Sequence, residues 1–349
     1  MQINLFCYIC ATHLRTELKI KPIYAGKPAW IGFFNKTGMI KTSKGEDVLP
    51  YEKIEYLREH GGGLKIIAQR GCQEKFLSTT ADITIFGGNR GPGKTFSLLM
   101  EALKDIKNKN FNAVILRAEK GDFKGIIEKS NRLFEQFGTY NRSQNDMTWN
   151  FNNGGKLYLT YFSDPIEDFR KRFQGQEYSY IGIDEITHIP YEKFKYILTN
   201  NRNSYGIRNR FYGTCNPDPD SWVRKFIDWW IGEDGIPIPE RDGEIRYCFM
   251  DGDSPDTIYW GNTRQEVYEQ CKETIDRLWK PEYAVPEKGK LEIMTKSVTF
   301  IKGKLEENRA LLRSDPNYVA NLAQQDEEQR ARDLEGNWNF KAAGDDILK

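Results

Sequence analysis

A phosphate-binding motif constrains this chain more than any other feature of its sequence. Residues 88–95 read Gly-Asn-Arg-Gly-Pro-Gly-Lys-Thr and fit the pattern Gly-x4-Gly-Lys-[Ser/Thr] in full. Apolar residues 83–86 precede the motif, and residues 95–106 follow it with apolar side chains at helical spacing. A strand, a glycine-rich loop and a helix in this order form the P-loop of nucleotide-binding proteins. The motif therefore predicts a nucleotide site within an α/β fold.

The residues of the loop have separate physical roles. Glycines let successive backbone N–H groups curve around phosphate oxygens, and the following helix directs its positive end at them. Lys94 is expected to reach the outer phosphates, and the Thr95 hydroxyl is expected to bind Mg²⁺. Arg90 is a candidate for stabilising the charge of the transition state. We expect the whole loop to bind the nucleotide: Gly88, Asn89, Arg90, Gly91, Pro92, Gly93, Lys94 and Thr95.

The rest of the chain alternates strand and helix patterns. Strand patterns recur at residues 113–116, 180–183, 210–215 and 298–302, and a hairpin pattern at 149–162 is centred on Asn152-Asn-Gly-Gly155. Helical patterns include residues 126–137, 316–323 and 326–334. This alternation predicts a mainly parallel sheet that is covered by helices on both faces. With the P-loop, the expected fold class is the RecA-like α/β architecture of P-loop NTPases, with a small C-terminal subdomain.

A second motif ends one of the predicted strands. Residues 180–183 are apolar and are followed by Asp184 and Glu185. Parallel strands present their carboxyl ends at the edge that carries the phosphate loop, so both acids are expected to face the nucleotide. Asp184 can hold the Mg²⁺ shell, and Glu185 can polarise the attacking water as a general base. ATP is favoured over GTP because the chain lacks a guanine-reading Asn-Lys-x-Asp motif.

Three further residues are candidates for the site. Thr214 and Asn216 stand at the end of the strand pattern 210–215, where small polar side chains can sense the γ-phosphate and pass the change to the next helix. Asn-Pro after a strand is also a common turn. Gln73, ahead of the loop, has an amide that can pair with both the donor and the acceptor edge of adenine.

Two arginines precede the acidic motif. Arg170 and Arg172 lie in the segment Arg-Lys-Arg-Phe-Gln-Gly, and an arginine so close to the site is a candidate for stabilising transition-state charge. The other interpretation is an ordinary surface arginine that pairs with Glu167 or Asp168 and has little effect on hydrolysis. The sequence leaves both interpretations open.

Charge and composition exclude simpler functions. The formal net charge is +1, so nucleic acid can be held only by local positive patches or by several copies in a ring. No stretch approaches the roughly 18 apolar residues of a membrane span, and no secretory signal is evident, so an intracellular protein is expected. Cys7, Cys10 and His13 have the spacing of zinc ligands, but no second pair follows, and buried thiols are the simpler interpretation.

Taken in order, these motifs resemble the ATPase region of the large terminase subunit of tailed bacteriophages. The resemblance covers roughly residues 50–340 and includes residues 73–76, 87–95, 173–185, 213–217, 300–308 and 334–338. It implies ATP-driven translocation of double-stranded DNA into a procapsid in the host cell cytoplasm. The implied partners are DNA, the portal protein, the small terminase subunit and further copies of the chain in a ring.

The resemblance also implies roles for individual residues. Lys94 and Thr95 would contact phosphate and Mg²⁺, and Asp184 and Glu185 would be the Mg²⁺-binding and water-activating acids. Thr214 and Asn216 would couple hydrolysis to movement. Arg90 resembles the loop arginine of the family, and Arg172 resembles an arginine that reaches the ATP of a neighbouring subunit.

The chain is expected to divide into three parts. Residues 1–48 form an N-terminal appendage of unknown role, residues 49–297 the ATPase core, and residues 298–349 a small C-terminal subdomain or linker. The family normally continues into a nuclease domain of the RNase H type, and the eleven residues after Trp338 are too few for one. No nuclease activity is therefore expected from this chain alone.

Two other functions remain open at the level of the sequence. Another P-loop DNA translocase or helicase would share the P-loop, but a helicase would need a second RecA-like half, which is not visible. A nucleotide-dependent assembly or clamp protein would bind ATP with little turnover. Such a protein would not need a water-activating acid, so Glu185 favours an ATPase.

Overall fold

A computed structural model of the chain describes residues 40–41, 47–48, 68–141, 143 and 147–340. Most of the predicted appendage lies outside these residues, as do Cys7, Cys10 and His13. The described part of the N-terminal segment is an antiparallel pair of short strands, β1 (Ile40–Lys41) and β2 (Asp47–Val48).

The centre of the described protein is a sheet of ten strands. In chain order they are β3 (Ile83–Gly88), β4 (Asn112–Arg117), β5 (Gly138–Asn141), β6 (Thr148–Phe151), β7 (Lys156–Tyr161), β8 (Tyr180–Asp184), β9 (Arg210–Cys215), β10 (Ile245–Met250), β11 (Ile258–Gly261) and β12 (Lys296–Gly303). Their order in the sheet is β11-β10-β12-β3-β9-β8-β4-β7-β6-β5. The strands from β12 to β7 are parallel, and antiparallel strands extend both ends. The predicted mainly parallel α/β sheet is confirmed.

Helices cover both faces of this sheet. One face carries α1 (Cys72–Ser78), α2 (Lys94–Ala102) and α3 (Lys124–Phe134), and the other carries α4 (Ile166–Phe173), α5 (Tyr191–Thr199) and α6 (Trp222–Phe226). The physical reason lies in the central strands, where successive side chains point to opposite faces. Ile115 packs on the face that carries α1, α2 and α3, and Val114 packs on the face that carries α4, α5 and α6. Both faces of the sheet are therefore apolar and require cover by helices.

The remaining helices lie in two groups. The helices α7 (Arg264–Gln270), α8 (Lys272–Leu278) and α9 (Lys290–Met294) belong to the region of the β10–β11 hairpin. After β12 come α10 (Arg309–Ser314), α11 (Tyr318–Ala323), α12 (Glu327–Arg330) and a π-helical turn at Ala331–Glu335. Within the described ranges, no helix combines the length and the apolar character needed to cross a membrane.

Strand β12 changes the predicted boundary of the C-terminal subdomain. It lies between β10 and β3, and its residues from Val298 to Gly303 pair in parallel with the strand that leads into the phosphate loop. Residues 298–303 therefore belong to the core sheet, and the predicted boundary after residue 297 is corrected. Parallel pairing joins segments that are far apart in the chain, so the sequence pattern could not show it. The wider division into domains stays a prediction.

Other differences from the sequence patterns are local. The patterns do not predict β5, β10 and β11, which lie at the antiparallel ends of the sheet and are only half-buried. A short apolar run such as residues 247–250 does not by itself distinguish a strand from a segment of helix. The helix after the phosphate loop ends at Ala102 and passes into turns, rather than continuing to residue 106.

Candidate functional site

The phosphate loop joins β3 to α2 at the carboxyl edge of the parallel strands. Gly88 and Gly93 have φ of +141° and +90°, a region that side chains rarely adopt. A Cβ atom on Gly88 would lie 2.6 Å from the backbone oxygen of Gly303, and one on Gly93 would lie 2.5 Å from Nε2 of Gln73. Gly88 is therefore required by packing against backbone as well as by its conformation, and Gly93 is required by its backbone conformation.

Lys94 is the first residue of α2 and is partly buried behind the loop. Its Nζ donates to the backbone oxygens of Gly88 at 2.9 Å and Asn89 at 2.6 Å, and to Oδ1 of Asn216 at 2.8 Å. Desolvation lowers the pKa of Lys94 to about 8, and the charge of Asp184 opposes this decrease. The structure thus brings Lys94 and Asn216, two predicted site residues, into direct contact.

A carboxylate and two hydroxyl groups meet beside Lys94. Thr95 Oγ1 donates to the carboxylate of Asp184, at 3.1 and 3.2 Å from its two oxygens, and Thr214 Oγ1 donates to Asp184 Oδ1 at 2.5 Å. Asp184 is 2% exposed, and burial raises its pKa while the hydrogen bond from Thr214 opposes the rise. The contact between Asp184 and Thr214 follows from strand register, because the two residues are direct partners across β8 and β9.

Thr95 and Asp184 offer hard oxygen ligands, which are the ligands that Mg²⁺ prefers. Among the described residues, no group of three or more His, Cys, Asp or Glu side chains could hold a metal ion. This donor set fits Mg²⁺, which usually takes one or two protein oxygens and completes its shell with waters and substrate phosphates. Thr95 and Asp184 are the residues that would hold the ion.

Glu185 is ion-paired with Arg117, a residue that the sequence analysis misses. Arg117 Nη2 lies 2.6 Å from Glu185 Oε1, and Arg117 Nε lies 3.5 Å from Asp184 Oδ2. His188 Nδ1 lies 3.4 Å from the second carboxylate oxygen of Glu185. Glu185 has φ of +59°, and within the described ranges no other residue except glycine has a positive φ. Strained backbone of this kind clusters at functional sites, and here it directs the side chain toward Arg117.

The position of Arg117 follows from the order of the strands. Leu116 pairs with Ile183 across the parallel strands β4 and β8, so the next residues, Arg117 and Asp184, stand side by side at the carboxyl edge. The signal in the sequence is an arginine directly after the apolar residues 113–116. That signal is incomplete, because the neighbour of the arginine depends on which strands are adjacent in the sheet.

Replacing Arg117 by methionine is expected to reduce kcat by about 10- to 100-fold, because such supporting partners orient the groups that act on substrate. Asp184 would also lose its ion pair with Arg117, so its pKa should rise further and the acid limb of the pH–rate profile should move to higher pH. Steady-state kinetics over a range of pH measure both effects.

Arg117→Lys serves as the conservative control for this prediction. Lysine keeps the positive charge but, unlike arginine, cannot contact Asp184 and Glu185 at the same time, so this variant should recover part of the rate. A lower rate with an unchanged pH profile in Arg117→Met would indicate a merely structural role.

The chain after β12 encloses the outer side of the phosphate loop. The backbone N–H of Arg90 donates to the backbone oxygen of Asp333 at 2.7 Å, and Arg90 Nη1 lies 3.2 Å from Asp333 Oδ2. Asn89 Nδ2 donates to the backbone oxygen of Leu334 at 2.9 Å, and Asn308 Nδ2 donates to that of Gly91. Asn308 and Asp333 are therefore positioning residues for the loop, and the sequence analysis assigns neither a role. The predicted contact of Arg90 with the transition state stays a prediction.

Gln73 does not offer its amide to a base in this structure. The residue is 2% exposed, its Nε2 donates to the backbone oxygen of Pro92 at 2.9 Å, and its Oε1 accepts from the backbone N–H of Gln69 at 3.1 Å. Both edges of the amide are therefore occupied. In this structure the side chain supports the phosphate loop from behind, and the predicted reading of adenine by Gln73 stays a prediction.

Arg172 lies near the carboxyl edge of the sheet, beside the end of β7. Three strands, β9, β8 and β4, lie between β7 and the P-loop strand β3. Its Nη2 donates to the backbone oxygen of Tyr161 at 2.6 Å and lies 3.0 Å from Asp164 Oδ2. Its guanidinium also lies over the Tyr161 ring, 4.4 Å from the centroid. The acidic partner is thus Asp164, not Glu167 or Asp168. Action of Arg172 on a neighbouring subunit stays a prediction.

Arg170 takes part in ion pairs at the protein surface. Its guanidinium nitrogens lie 2.6 Å from Glu192 Oε1 and 3.5 Å from Glu167 Oε1. Both glutamate side chains are at least half exposed, and pairs of this kind contribute little to stability. These contacts favour the interpretation of Arg170 as a surface residue.

Affinity for ATP is expected to fall as the pH rises through about 8, because of the lowered pKa of Lys94. Phosphate groups favour the ammonium form of Lys94. Above this pH the free protein has a neutral Lys94 amine, which must take up a proton when ATP binds, so affinity can fall by up to about tenfold per pH unit. Binding of ATP-γ-S, measured from about pH 7 to about pH 9, tests this.

Lys94→Arg is the control, because a guanidinium stays charged over this range and its profile should be flat. A flat profile for the unsubstituted protein would contradict the prediction.

Comparison with known families and structures gives the following matches. The family described as "Terminase large subunit, T4likevirus-type, N-terminal" matches residues 85–345. A search of curated proteins gives no match. Similar solved structures include the large terminase of a thermophilic bacteriophage, with 14% identity over 78% of this chain and 54% of that protein, and a TM-score of 0.47. The chain thus spans about half the length of that protein.

Two further similar structures are single domains. The large terminase ATPase domain of Thermus phage P74-26 has 15% identity over 67% of this chain and 95% of that domain, with a TM-score of 0.36. The N-terminal domain of the DNA packaging ATPase from bacteriophage phi29 has 17% identity over 44% of this chain and 84% of that domain, with a TM-score of 0.34.

Proposed function

Because the chain belongs to the family of T4-like terminase large subunits, matched by the model of their N-terminal region, we propose that it is an ATP-hydrolysing motor subunit that translocates double-stranded viral DNA into a procapsid. The observation that carries the proposal is the meeting of Lys94, Thr95, Asp184 and Asn216 at one edge of the sheet, with Glu185 beside them. A cation for phosphate, oxygen ligands for Mg²⁺ and a carboxylate for water are the parts that phosphoryl transfer to water needs.

Binding of ATP exchanges contacts within the chain for contacts with phosphate. Lys94 Nζ leaves the backbone oxygens of Gly88 and Asn89 and donates to the β- and γ-phosphates. Backbone N–H groups of the loop and of the first turn of α2 donate to the same phosphates. Mg²⁺, when held by Thr95 and Asp184, would neutralise charge on the phosphates.

Glu185 is the group that takes the proton from the attacking water. In the structure its Oε1 lies 2.6 Å from Arg117 Nη2, so the guanidinium fixes the direction of the carboxylate. Its side chain is 34% exposed, so water can reach the carboxylate. The carboxylate accepts the proton as the oxygen of water attacks the γ-phosphate.

Thr214 and Asn216 connect the site to the following part of the chain. Thr214 donates to Asp184, and Asn216 accepts from Lys94, so both residues contact groups that hold phosphate or Mg²⁺. A short loop joins Asn216 to α6. We infer that a change in the contacts of Lys94 on hydrolysis reaches α6 by this route, which agrees with the coupling role expected from the family.

The partners and location that we propose follow from the family. They are double-stranded DNA, the portal protein, the small terminase subunit and further copies of this chain in a ring on the procapsid, in the host cell cytoplasm. A ring agrees with the net charge of +1, because several copies can gather local positive patches around a duplex.

An ATPase assay with and without duplex DNA and procapsids tests the proposed function. The protein should release phosphate from ATP. Addition of duplex DNA and procapsids should increase the rate of phosphate release, and the DNA should become protected from nuclease. Turnover that neither DNA nor procapsids change would argue against a packaging motor. Binding of ATP without turnover in any of these mixtures would argue for a clamp protein.

Mixing two inactive variants tests whether Arg172 acts on a neighbouring subunit. If it does, Arg172→Ala mixed with Glu185→Gln should recover part of the ATPase activity, because some interfaces then join an intact Arg172 to an intact Glu185. The measurement is phosphate release at constant total protein, in mixtures shown to form joint rings. Arg170→Ala, which removes a surface ion pair, is the matched control. Absence of recovery would leave Arg172 with its contacts to Tyr161 and Asp164 as its main role.

A further inference from the structure

A cavity of about 600 Å³ lies outside the nucleotide site, between α6 and the β10–β11 hairpin. Its walls combine cationic and indole side chains, namely Arg224, Lys225, Trp229, Arg246 and Trp260. It has the size of a site for a small molecule or for one unit of a polymer. Neither the proposed hydrolysis nor the family match gives this cavity a role.

Arg246 lines the cavity without an acidic partner. Its guanidinium carbon lies 4.9 Å from the centroid of the Trp229 ring and 5.8 Å from that of Trp260. Its Nε is buried and has no hydrogen-bond partner among the described residues. The carboxylate of Glu266 on α7 attracts it electrostatically, but none of the described ion pairs includes Arg246. A guanidinium that rests on an indole face keeps its N–H edge free for an anion.

The other charged residues that line the cavity do not neutralise Arg246. Arg224 Nη1 lies 2.7 Å from Asp228 Oδ1, and Lys225 Nζ lies 3.0 Å from Asp256 Oδ1. Both carboxylates face solvent, with side chains 74% and 66% exposed, and each already has its own cation. The lining therefore has one unmatched positive charge, which is the charge of Arg246.

We propose that this cavity binds the sugar–phosphate backbone of DNA, with a phosphate on Arg246 and the adjoining sugar against Trp229 and Trp260. The assignment rests on the proposed function, which makes DNA the substrate of the motor. A phosphate matches the N–H edge of a guanidinium, and apolar ring faces accept a sugar or base without regard to sequence. A motor that moves along any sequence needs contacts of this kind, because phosphate contacts carry no sequence information.

The surroundings of the cavity connect it to the nucleotide site from two directions. Arg224 and Lys225 are on α6, the helix that follows Asn216. Arg224 Nε also donates to Oδ1 of Asn339 at 2.7 Å, and the neighbouring Trp338 packs against Gly87 at the end of the P-loop strand. DNA in the cavity would therefore contact two segments next to the nucleotide site. One is α6, which follows Asn216, the partner of Lys94, and the other is the segment around Trp338, which packs beside the phosphate loop.

The test is binding of a fluorescein-labelled DNA duplex, measured by anisotropy over a series of salt concentrations. Arg246→Gln should weaken binding at low salt by about tenfold and should reduce the slope of log K against log salt by about 1. Trp260→Leu should weaken binding without changing the slope, because the indole carries no charge. Arg246→Lys should keep the slope and recover part of the affinity.

Arg277→Gln is the matched control, since Arg277 is an exposed arginine on α8, a helix associated with the opposite face of the hairpin. It should bind DNA as the unsubstituted protein does, and thermal melting would confirm that all variants are folded.

Absence of DNA binding by the unsubstituted protein would contradict the proposed function itself. Normal binding and normal slope in Arg246→Gln would overturn only the assignment of the cavity. Displacement of the labelled duplex by poly-glutamate, as effective as displacement by unlabelled DNA of equal charge, would also overturn the assignment of the cavity to DNA. That result would favour an acidic peptide as its ligand.

Discussion

Lys94→Ala is expected to abolish measurable ATP hydrolysis and to weaken ATP binding by at least about a hundredfold. Lys94 is the cation that faces the outer phosphates, and its Nζ also donates to Gly88, Asn89 and Asn216. Alanine removes both the charge and these three hydrogen bonds, so the loop also loses its contact with Asn216, the residue that follows β9. Phosphate release and equilibrium binding of ATP-γ-S measure the two effects separately.

Lys107→Ala is the matched control for this prediction. Lys107 is an exposed lysine in the turns that follow α2, outside the loop, and its replacement should leave both measurements unchanged. Thermal melting of Lys94→Ala should stay close to that of the unsubstituted protein, because removing a charge that is poorly solvated relieves a desolvation penalty. ATP-γ-S affinity at the unsubstituted level in Lys94→Ala would mean that the nucleotide binds elsewhere.

Glu185→Gln is expected to separate binding from turnover. The substitution keeps the shape of the side chain and removes the carboxylate that accepts the proton from water, so kcat should fall by about 10²–10⁴-fold. ATP affinity should change little, because Lys94, Thr95 and Asp184 are unaltered. Single-turnover phosphate release together with nucleotide binding measures the difference.

Glu192→Gln provides the comparison for Glu185→Gln. Glu192 also pairs with an arginine at 2.6 Å, but the pair is on the protein surface and does not adjoin the phosphate loop. Its replacement should leave turnover unchanged. If Glu185→Gln instead hydrolyses ATP at the unsubstituted rate, the base is another group, and Asp184, whose pKa is raised by burial, becomes the first candidate.

The central strands illustrate how much of the fold can be predicted from the sequence. The strand at Ile83–Gly88 and the strand at Tyr180–Asp184 each contain a continuous apolar run, because they are buried on both faces. The half-buried strands Ile245–Met250 and Ile258–Gly261 also contain short apolar runs, at residues 247–250 and 258–260, yet they escape prediction. The two central strands are also marked by the motifs that end them, namely the phosphate loop and the acidic pair Asp184-Glu185.

Residues next to each other in a motif could be assigned to the site without the structure. Lys94 and Thr95 follow the glycines directly, and Asp184 and Glu185 end a buried strand, so local geometry alone puts them at the carboxyl edge. The structure adds that Asp184 accepts from both Thr95 and Thr214. For these residues, the conformation of a few neighbouring residues decides the position of the side chain.

The sequence by itself determined the phosphate loop, the acidic strand end and the parallel α/β class, because each is encoded by residues that are close together in the chain. Only the tertiary structure decided that Arg117 pairs with Glu185, that Asp333 holds Arg90, and that the Gln73 amide supports the loop. These contacts join residues from 19 to 243 positions apart. Strand order and the path of the chain after β12 bring them together, and neither is specified by the apolar periodicity of any single segment.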